Sequence, residues 1–337
     1  MVNLETSKVP VIAIDAMGGD NAPVEIIKGA VSSASSDVKL ILVGDEDIIT
    51  SELQKYKYPE GSIEIFNATQ VITGEDVPTV AIKQKKDSSM VVGLNMIKEG
   101  KAGAFISAGN TGALLTGATF IAGRIKGIER PALAGLLPND NKTHTLLMDC
   151  GANIDCKPNY LLQFAEIGSI YMENVIGIKN PRVGLLNVGT EEEKGNTVVK
   201  EAHGLLKNSS LNFVGNVEAS MISTGIADVI VCDGFVGNIV LKHTEGLAKS
   251  IMKMVKEELM SSSVSKFGAL LAKGAFRKLK KRFDYREVGG APFLGLNALV
   301  VKAHGSSDAK AISGAINQCN IFIKNDIVNK IKDRINI

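Results

Sequence analysis

Short apolar runs rich in β-branched residues recur along this chain, each followed by a glycine-bearing turn and then by a helical pattern. The clearest runs are 11–14, 40–43, 63–66, 104–107, 145–148, 183–188, 229–231 and 299–301. Runs this short and continuous are typical of strands buried on both faces, and their alternation with helices favours parallel pairing. The sequence therefore predicts an α/β fold with a mainly parallel, doubly wound sheet.

Composition narrows the class of protein. The chain has 337 residues, 45% of them apolar and 22% charged, which predicts a soluble α/β protein over 1–337 with two closely associated lobes. A net charge of +2 argues against a nucleic-acid partner. Four cysteines without a Cys-x-x-Cys pair suggest a reducing cytoplasm, and we expect neither a metal nor a cofactor. No stretch reaches the roughly 20 apolar residues that span a bilayer, so any membrane contact is expected to be peripheral.

The turn at 15–23, Asp-Ala-Met-Gly-Gly-Asp-Asn-Ala-Pro, directly follows the first predicted strand. Gly18 and Gly19 allow backbone conformations that other residues resist. We expect Asp20 or Asn21 to cap the next helix and Pro23 to lie in its first turn. The carboxyl ends of strands in open α/β sheets bind ligands, and helix starts favour anions, so this turn predicts part of an anion site.

Five later loops repeat this design, at 106–114, 148–158, 186–196, 232–238 and 302–308. Each follows a predicted strand and combines glycines with amide, hydroxyl or charged side chains. If the loops lie at one rim of the sheet, their donors converge on a cleft that suits phosphate or a developing oxyanion. Other motifs are absent from the sequence: it has no Walker phosphate loop, no dinucleotide fingerprint, no H-E-x-x-H and no G-x-S-x-G.

Taken in order, these loops resemble the signatures of the bacterial phosphate acyltransferases of phospholipid synthesis. The segments that carry the resemblance are 15–23, 107–114, 123–131, 149–158, 183–196, 213–219, 233–242 and 302–308. The resemblance implies a fold like that of isocitrate and isopropylmalate dehydrogenases and of phosphotransacetylase. It also implies a homodimer that transfers a fatty acyl group from acyl carrier protein to inorganic phosphate. The acyl phosphate product would pass to a downstream acyltransferase.

This reaction needs positioned donors more than a catalytic triad, because phosphate is already an anion and a thiolate leaves readily. We assign catalytic roles to His304, Lys194 and Asn110. Phosphate or substrate binding is assigned to Gly109, Thr111, Gly112, Asn153, Asn187, Lys242, Gly305, Ser306 and Ser307.

His304 and several other residues of these loops have a structural interpretation. A histidine that caps a strand end explains His304 equally well. Asp15, Asp149 and Asp233 more often brace a loop or cap a helix than bind a metal. Cys150 and Cys232 are interpreted as small buried residues rather than nucleophiles.

Residues 236–283 show continuous helical periodicity with a break at Ser261–Ser263, which predicts a projecting helical hairpin. Its second helix combines an apolar stripe with a basic face, the pattern of a helix lying on an anionic membrane. The residues assigned to contact with the membrane or with acyl carrier protein are Val264, Phe267, Leu270, Leu271, Arg277, Lys278, Lys280 and Lys281. The predicted location is the cytoplasm, at the inner face of the cell membrane. We expect much of the hairpin to lie in the dimer interface and its tip, around 264–271, to contact lipid. Packing of the whole apolar stripe against a partner subunit, or simple solvation of the basic face, would also explain the pattern.

Two other functions remain open at this point. An isocitrate-type dehydrogenase would bind a nicotinamide cofactor. A non-catalytic scaffold that recruits acyl carrier protein to membranes would need only the basic hairpin, which leaves the polar strand-end loops unexplained.

Overall fold

The computed structural model describes residues 9–282 and 289–335, except the side chains of Lys280 and Lys281. These residues form two compact units. The first unit contains 9–133, 173–177 and 289–335, and the second contains 134–172 and 178–282.

The described residues form strands and helices in alternation. The strands are β1 (Val11–Asp15), β2 (Lys39–Gly44), β3 (Ile63–Asn67), β4 (Ala104–Ser107), β5 (Ala132–Pro138), β6 (His144–Met148), β7 (Arg182–Asn187), β8 (Asn212–Glu218), β9 (Val229–Val231), β10 (Ala291–Leu294) and β11 (Leu299–Lys302). The helices are α1 (Val24–Ser33), α2 (Glu46–Leu53), α3 (Pro78–Gln84), α4 (Ser89–Lys98), α5 (Thr111–Gly117), α6 (Pro158–Tyr171), α7 (Thr197–Lys207), α8 (Gly234–Leu259), α9 (Ser263–Leu271), α10 (Lys273–Arg282), α11 (Ala309–Lys324) and α12 (Ile327–Ile335).

In the first unit, β3, β2, β1, β4 and β11 pair in that order and all run parallel. β10 pairs antiparallel with β11 and with the first residues of β5. Ile14, Ile106 and Val301 are register neighbours, so β1, β4 and β11 end at the same edge. The loops that follow these three strands therefore start side by side.

In the second unit, β5 pairs antiparallel with β6, and β6, β9, β7 and β8 continue in parallel. Leu147, Ile230 and Gly184 are register neighbours and are buried. Both units thus have the mainly parallel α/β architecture that the sequence predicts. Because the strands of each unit end at one edge, polar loops are again brought together.

All eight predicted runs are strands, but β3 is half exposed rather than buried on both faces. Three strands were not predicted, namely β5, β8 and β10. β5 and β8 are interrupted by Gly135 and Gly215, and β10 has four residues including Pro292. These segments lack a strong local strand signal and depend on the neighbouring strands with which they pair.

The described residues of the predicted hairpin are helical except at 260–262 and at Ala272. α8 begins two residues before the predicted start, and the chain breaks at 260–262, which confirms the expected break. The second helix is divided at Ala272 into α9 and α10. Phe283, the last residue of the predicted hairpin, lies outside the described residues. None of the helices over 9–282 and 289–335 has the length and apolarity needed to cross a bilayer.

Candidate functional site

Three loops of the first unit meet around Gly19, which has a φ of +105°. A Cβ at Gly19 would lie 2.9 Å from the Ala108 Cβ and 3.0 Å from the Gly305 oxygen. The Asp20 N–H also donates to the Gly305 oxygen at 2.8 Å. We call the segments 16–23, 108–112 and 303–308 the three-loop cluster. The glycine at 19 is required because a side chain there would separate the loops.

Buried polar groups hold the base of this cluster. The Ser107 hydroxyl donates to the Asp15 carboxylate at 2.7 Å and accepts the Gly109 N–H at 3.0 Å. Burial raises the pKa of the Asp15 carboxyl, although hydrogen bonds from the Ser89 and Ser107 side chains oppose that shift. Asp15 braces its loop, as the structural alternative proposed.

Lys302, the last residue of β11, was not among the predicted site residues. Its side chain is buried, and its Nζ donates to the Ala108 oxygen at 3.2 Å and to the Ala303 oxygen. This lysine ties the loop after β4 to the loop after β11. Its position at the end of an apolar run was the available signal, because a lysine there must be either exposed or bonded.

Asn110 caps α5 through its side-chain oxygen, which accepts the Ala113 N–H at 3.0 Å. Its Nδ2 faces backbone oxygens of 73–76, the closest being that of Thr73 at 3.2 Å. The side chain assigned to catalysis is thus occupied by structural hydrogen bonds. By contrast, the Thr111 and Gly112 amides at the start of α5 have no acceptor among the described residues, as helix geometry predicts.

His304 and Ser306 form a compact pair after β11. The His304 Nδ1 lies 2.9 Å from the Ser306 hydroxyl and accepts the Ser306 N–H at 3.2 Å. Ser306 is exposed, whereas Ser307 is buried. The Ser307 hydroxyl has no hydrogen-bond partner among the described residues. Gly305 lies beside Asp20, whose carboxylate oxygens would contact an added Cβ at 3.4 and 3.7 Å.

The prediction that Asp20 or Asn21 caps α1 is wrong. Pro23 itself occupies the N-cap position and makes no side-chain cap. The Asn21 Nδ2 instead donates to the Ser306 and Ser307 oxygens, at 3.2 Å each. A residue predicted to serve its own helix therefore joins two loops that are distant in sequence.

In the second unit, Asp149 organises the loop after β6. Its Oδ1 accepts the Gly151 and Ala152 amides at 3.0 and 2.9 Å, and its Oδ2 accepts the Asn153 amide at 2.6 Å. The Asn153 Nδ2, assigned to substrate binding, donates to the same oxygen at 2.8 Å. The fully buried carboxylate therefore braces the loop, as its alternative interpretation proposed.

α8 begins directly against this loop. The Asp233 carboxylate caps α8 by accepting the Val236 N–H at 2.7 Å, and the Gly234 N–H donates to the Asn153 oxygen at 2.7 Å. A Cβ at Gly237 would lie only 1.9 Å from the Asp149 backbone oxygen. Only a glycine allows this approach.

The remaining assigned residues of the second unit lie nearer its surface. The Asn187 Nδ2 donates to the Lys194 oxygen at 3.1 Å, which closes the loop 188–194. Lys194 itself is exposed. Lys242 is exposed on α8, and its Nζ lies 3.5 Å from the Glu245 carboxylate. Both lysines therefore present their charge to solvent.

The thiols of this region are not poised for nucleophilic attack. Cys150 and Cys232 are buried, and burial raises the pKa of both, as it raises the pKa of Cys156 to about 12. Within the described parts of the chain, no group of three or more metal-ligating side chains occurs.

Two cavities lie along α8. One, of about 530 Å³, is lined by residues that include Asn187 at the end of β7 and the helix caps Asn196 and Asp233. The other, of about 480 Å³, is mostly apolar and extends to Ile251, Met252 and Leu279. Ala219, Ser220 and Val240 line both cavities, which are therefore adjacent.

The hairpin presents apolar side chains to solvent. Val264, Phe267, Leu270 and Leu271 on α9 are exposed by 83%, 65%, 64% and 74%. Arg277 and Lys278 on α10 are also exposed, whereas the side chains of Lys280 and Lys281 lie outside the described structure. The Arg282 guanidinium donates to the Asn139 oxygen at 2.8 Å, which ties α10 to the end of β5.

The structure thus brings the assigned residues into two groups. Gly109 to Gly112 join Gly305 to Ser307 in the first unit, and Asn153 joins Asp149 and Asp233 in the second. That both groups line one cleft stays a prediction.

A family model described as fatty acid synthesis protein matches residues 10–330. The chain is 54% identical over 321 residues to the phosphate acyltransferase of Clostridioides difficile, covering 95% of this chain and 94% of the relative. It is 52% identical over 323 residues to that of Clostridium acetobutylicum, covering 95% and 97%. The fold is similar to a phosphotransacetylase from Streptococcus pyogenes, with a TM-score of 0.61, 17% identity and coverage of 95% and 94%. It is also similar to 4-hydroxythreonine-4-phosphate dehydrogenase from Klebsiella pneumoniae, with a TM-score of 0.55, 12% identity and coverage of 95% and 99%.

Proposed function

Because this chain belongs to the fatty acid synthesis protein family and is an acyltransferase of the phosphate acyltransferase type, we propose that it transfers a fatty acyl group from acyl carrier protein to inorganic phosphate. The product is an acyl phosphate, and the consumer of that product is an acyltransferase that passes the acyl group on toward phosphatidic acid. The protein acts as a homodimer.

One observation carries the proposal, namely the convergence of three strand-end loops around Gly19. These loops contribute the Thr111 and Gly112 amides, the exposed Ser306 hydroxyl and the His304 imidazole. Backbone amides at a helix start bind anions, and preorganised donors stabilise an oxyanion without reorganising during the reaction. These donors support the proposal that phosphate binds at this cluster.

The chemistry follows from these donors. A phosphate oxygen attacks the thioester carbonyl carbon, and the tetrahedral oxyanion collapses with departure of the thiolate. Since the His304 Nδ1 accepts the Ser306 N–H, a neutral imidazole carries its proton on Nε2. We assign to that N–H the stabilisation of the departing sulfur. Asn110 acts here as a positioning residue, because its side chain fixes the start of α5.

The second unit supplies positive charge and amide donors in this proposal. Lys194 and Lys242 present positive charge at the rim of the second unit, which attracts an anionic substrate, and Asn153 and Asn187 hold the loops of that rim. Charged side chains at an exposed rim also speed the encounter with an anionic substrate.

The decisive assay incubates the purified protein with palmitoyl carrier protein and labelled phosphate. We expect labelled acyl phosphate and free carrier thiol in equal amounts. His304→Ala should lower kcat by about 10²-fold or more, the typical cost of removing one preorganised donor to developing charge. His144→Ala, at the amino end of β6, is the matched control and should retain activity. Absence of acyl phosphate with the unaltered protein would refute the function, and NAD-dependent reduction of a hydroxy acid would favour a dehydrogenase.

We also propose that the hairpin holds the protein at the inner face of the cell membrane. The supporting observation is the exposed apolar face of α9, formed by Val264, Phe267, Leu270 and Leu271 and followed by basic α10. Exposed apolar side chains of this size beside basic residues suit an anionic lipid surface, where each basic residue contributes about 1 kcal/mol.

A vesicle assay tests the membrane proposal. Phe267→Glu/Leu271→Glu should abolish co-sedimentation with phosphatidylglycerol vesicles and leave the circular dichroism spectrum unchanged. Leu205→Glu/Ile321→Glu adds the same two charges at exposed apolar positions outside the hairpin and should sediment like the unaltered protein. Equal sedimentation of the two double variants would exclude this proposal.

The basic part of the hairpin is proposed to dock the acidic acyl carrier protein as well. Arg277→Glu and Lys278→Glu should raise KM for the acyl carrier substrate, and the KM for phosphate should not change. An equal change in both KM values would contradict docking at this surface.

A further inference from the structure

The loop after β11 has each of its carbonyl oxygens engaged by a donor of the protein. The Asp20 N–H donates to the Gly305 oxygen at 2.8 Å, and the Ser307 N–H donates to the His304 oxygen at 3.0 Å. The other three carbonyl oxygens of 303–307 accept hydrogen bonds from side chains. The negative ends of these peptide dipoles are therefore held by the protein, which favours an anion at this loop.

Two side chains, Lys302 and Asn21, hold those three oxygens. The Lys302 Nζ donates to the Ala303 oxygen and to the Ala108 oxygen of the loop after β4, the latter at 3.2 Å. The Asn21 Nδ2 donates to both carbonyl oxygens of 306–307 at 3.2 Å each. Each side chain thus engages two acceptors of the three-loop cluster. All of these residues lie in the first unit, together with the proposed reacting groups.

Carboxylates lie around this cluster and would repel an anion. Those of Glu25 and Asp308 accept two amides at the start of α11, at 2.7 and 3.0 Å. The Asp20 carboxylate oxygens would lie 3.4 and 3.7 Å from a Cβ at Gly305. Binding of phosphate at this place therefore needs a nearby cation, and Lys302 supplies one within the cluster.

The ammonium of Lys302 lies at the base of the cluster. Its side chain is buried, and its bonds to carbonyl oxygens suit the charged form, which has only donors and no acceptor. The Ala108 oxygen that it binds would lie 3.4 Å from a Cβ at Gly19, where the three loops meet. Since solvent screens a buried charge less than an exposed one, this ammonium attracts a bound anion more strongly than a surface lysine at equal distance.

We infer that Lys302 and Asn21 are positioning residues for phosphate, an inference that rests on the proposed function. Both engage carbonyl oxygens, so that the donors of the cluster rather than its acceptors face the substrate. Lys302 in addition offsets the surrounding carboxylates with its charge. Neither side chain needs to touch the reacting atoms.

Equilibrium dialysis of labelled inorganic phosphate against the full-length variants, without acyl carrier protein, tests this role. Lys302→Gln retains an amide donor but removes the charge, and it should raise the Kd of phosphate at least about tenfold. Lys302→Arg restores the charge and should bring that Kd to within about threefold of the unaltered protein. In the acyl transfer assay, Lys302→Gln should raise the KM for phosphate by the same factor and leave the KM for the acyl carrier substrate unchanged.

Asn21→Ala is a second test at an exposed position, where the substitution leaves the folded core intact. The variant loses both hydrogen bonds of the Nδ2. It should raise the Kd of phosphate by about threefold or more, the typical effect of hydrogen bonds between neutral groups.

Arg182→Gln and Asn212→Ala are the matched controls. Arg182 donates to the Gly225 oxygen at 2.9 Å, and Asn212 donates to the Asn180 oxygen at 3.1 Å. Both donors lie at the amino ends of their strands, β7 and β8, in the second unit. Both controls should leave the Kd of phosphate unchanged.

Higher Kd values in Lys302→Gln and Asn21→Ala, but not in the controls, support the inference. An unchanged Kd in folded Lys302→Gln, or a raised Kd that Lys302→Arg does not recover, would overturn the role of the lysine charge. If circular dichroism shows that Lys302→Gln does not fold, an unchanged Kd in Asn21→Ala overturns the inference by itself.

The two KM values separate positioning from a general distortion of the loops. A parallel rise of the KM for phosphate and the KM for the acyl carrier substrate would overturn the inference and leave the proposed function standing. Phosphate binding that depends on both residues, without any acyl phosphate formation, would refute the proposed function and retain the phosphate site.

Discussion

Replacement of Asp149 by asparagine tests whether one buried carboxylate holds the loop after β6. Its two oxygens accept the amides of 151–153 and the Asn153 side chain at 2.6 to 3.0 Å. Asparagine is isosteric but offers one acceptor oxygen, and its NH₂ would face N–H donors. Two hydrogen bonds to a charged group are lost at about 1.5–3 kcal/mol each, so we expect a loss of about 3–6 kcal/mol.

That loss is large against the 5–15 kcal/mol that typically stabilises a domain. The chain has no tryptophan, so urea unfolding is followed by circular dichroism at 222 nm. Asp155→Asn removes an exposed carboxylate from the same loop and should change the free energy of unfolding by less than about 0.5 kcal/mol. If Asp149→Asn costs less than about 1 kcal/mol, the carboxylate does not brace the loop, and the reasoning fails.

Two further predictions concern close packing and buried charge. Gly237→Ala should destabilise the protein by at least about 2 kcal/mol, because the new Cβ would lie 1.9 Å from the Asp149 backbone oxygen. As the control in the same urea titration, Gly246→Ala should stabilise α8 by up to about 1 kcal/mol, because a Cβ there meets no atom within 4 Å. For Asp15, burial raises the folded-state pKa above 3.8, so the proton-binding folded state loses stability as pH rises from 3.8 through that folded pKa. Asp15→Asn removes this pH dependence, so the stability of the variant relative to the unaltered chain should rise between pH 3.8 and the folded-state pKa. If the urea midpoints of the two proteins run parallel from pH 3 to pH 8, the carboxyl of Asp15 does not have a raised pKa.

The strand pattern shows how far local sequence carries the fold. β1, β2, β4 and β9 are apolar runs whose burial requires no knowledge of their neighbours, and all are found where predicted. β10 has four residues with a proline, and β5 contains no β-branched residue. They become strands because neighbouring strands supply their hydrogen-bond partners.

Part of the candidate site was likewise predictable from local sequence, and part was not. The glycine-bearing loops at strand ends were identified from sequence, as was the bracing role of Asp149. The roles of Asn21 and Lys302 were not, because each bonds a loop far away in the chain. Asn110 was predicted to act on substrate, yet its side-chain oxygen caps α5 by accepting the Ala113 N–H.

By itself the sequence determined the alternation of strands and helices, the position of the polar loops and the break in the hairpin. Periodicity, turn chemistry and glycine placement act over a few residues and can be read locally. Only the tertiary structure decided which loops meet at Gly19, that Gly237 must lie against Asp149, and that Lys302 ties the loop after β4 to the loop after β11. Those features depend on contacts between distant segments, whose partners and distances no local pattern contains.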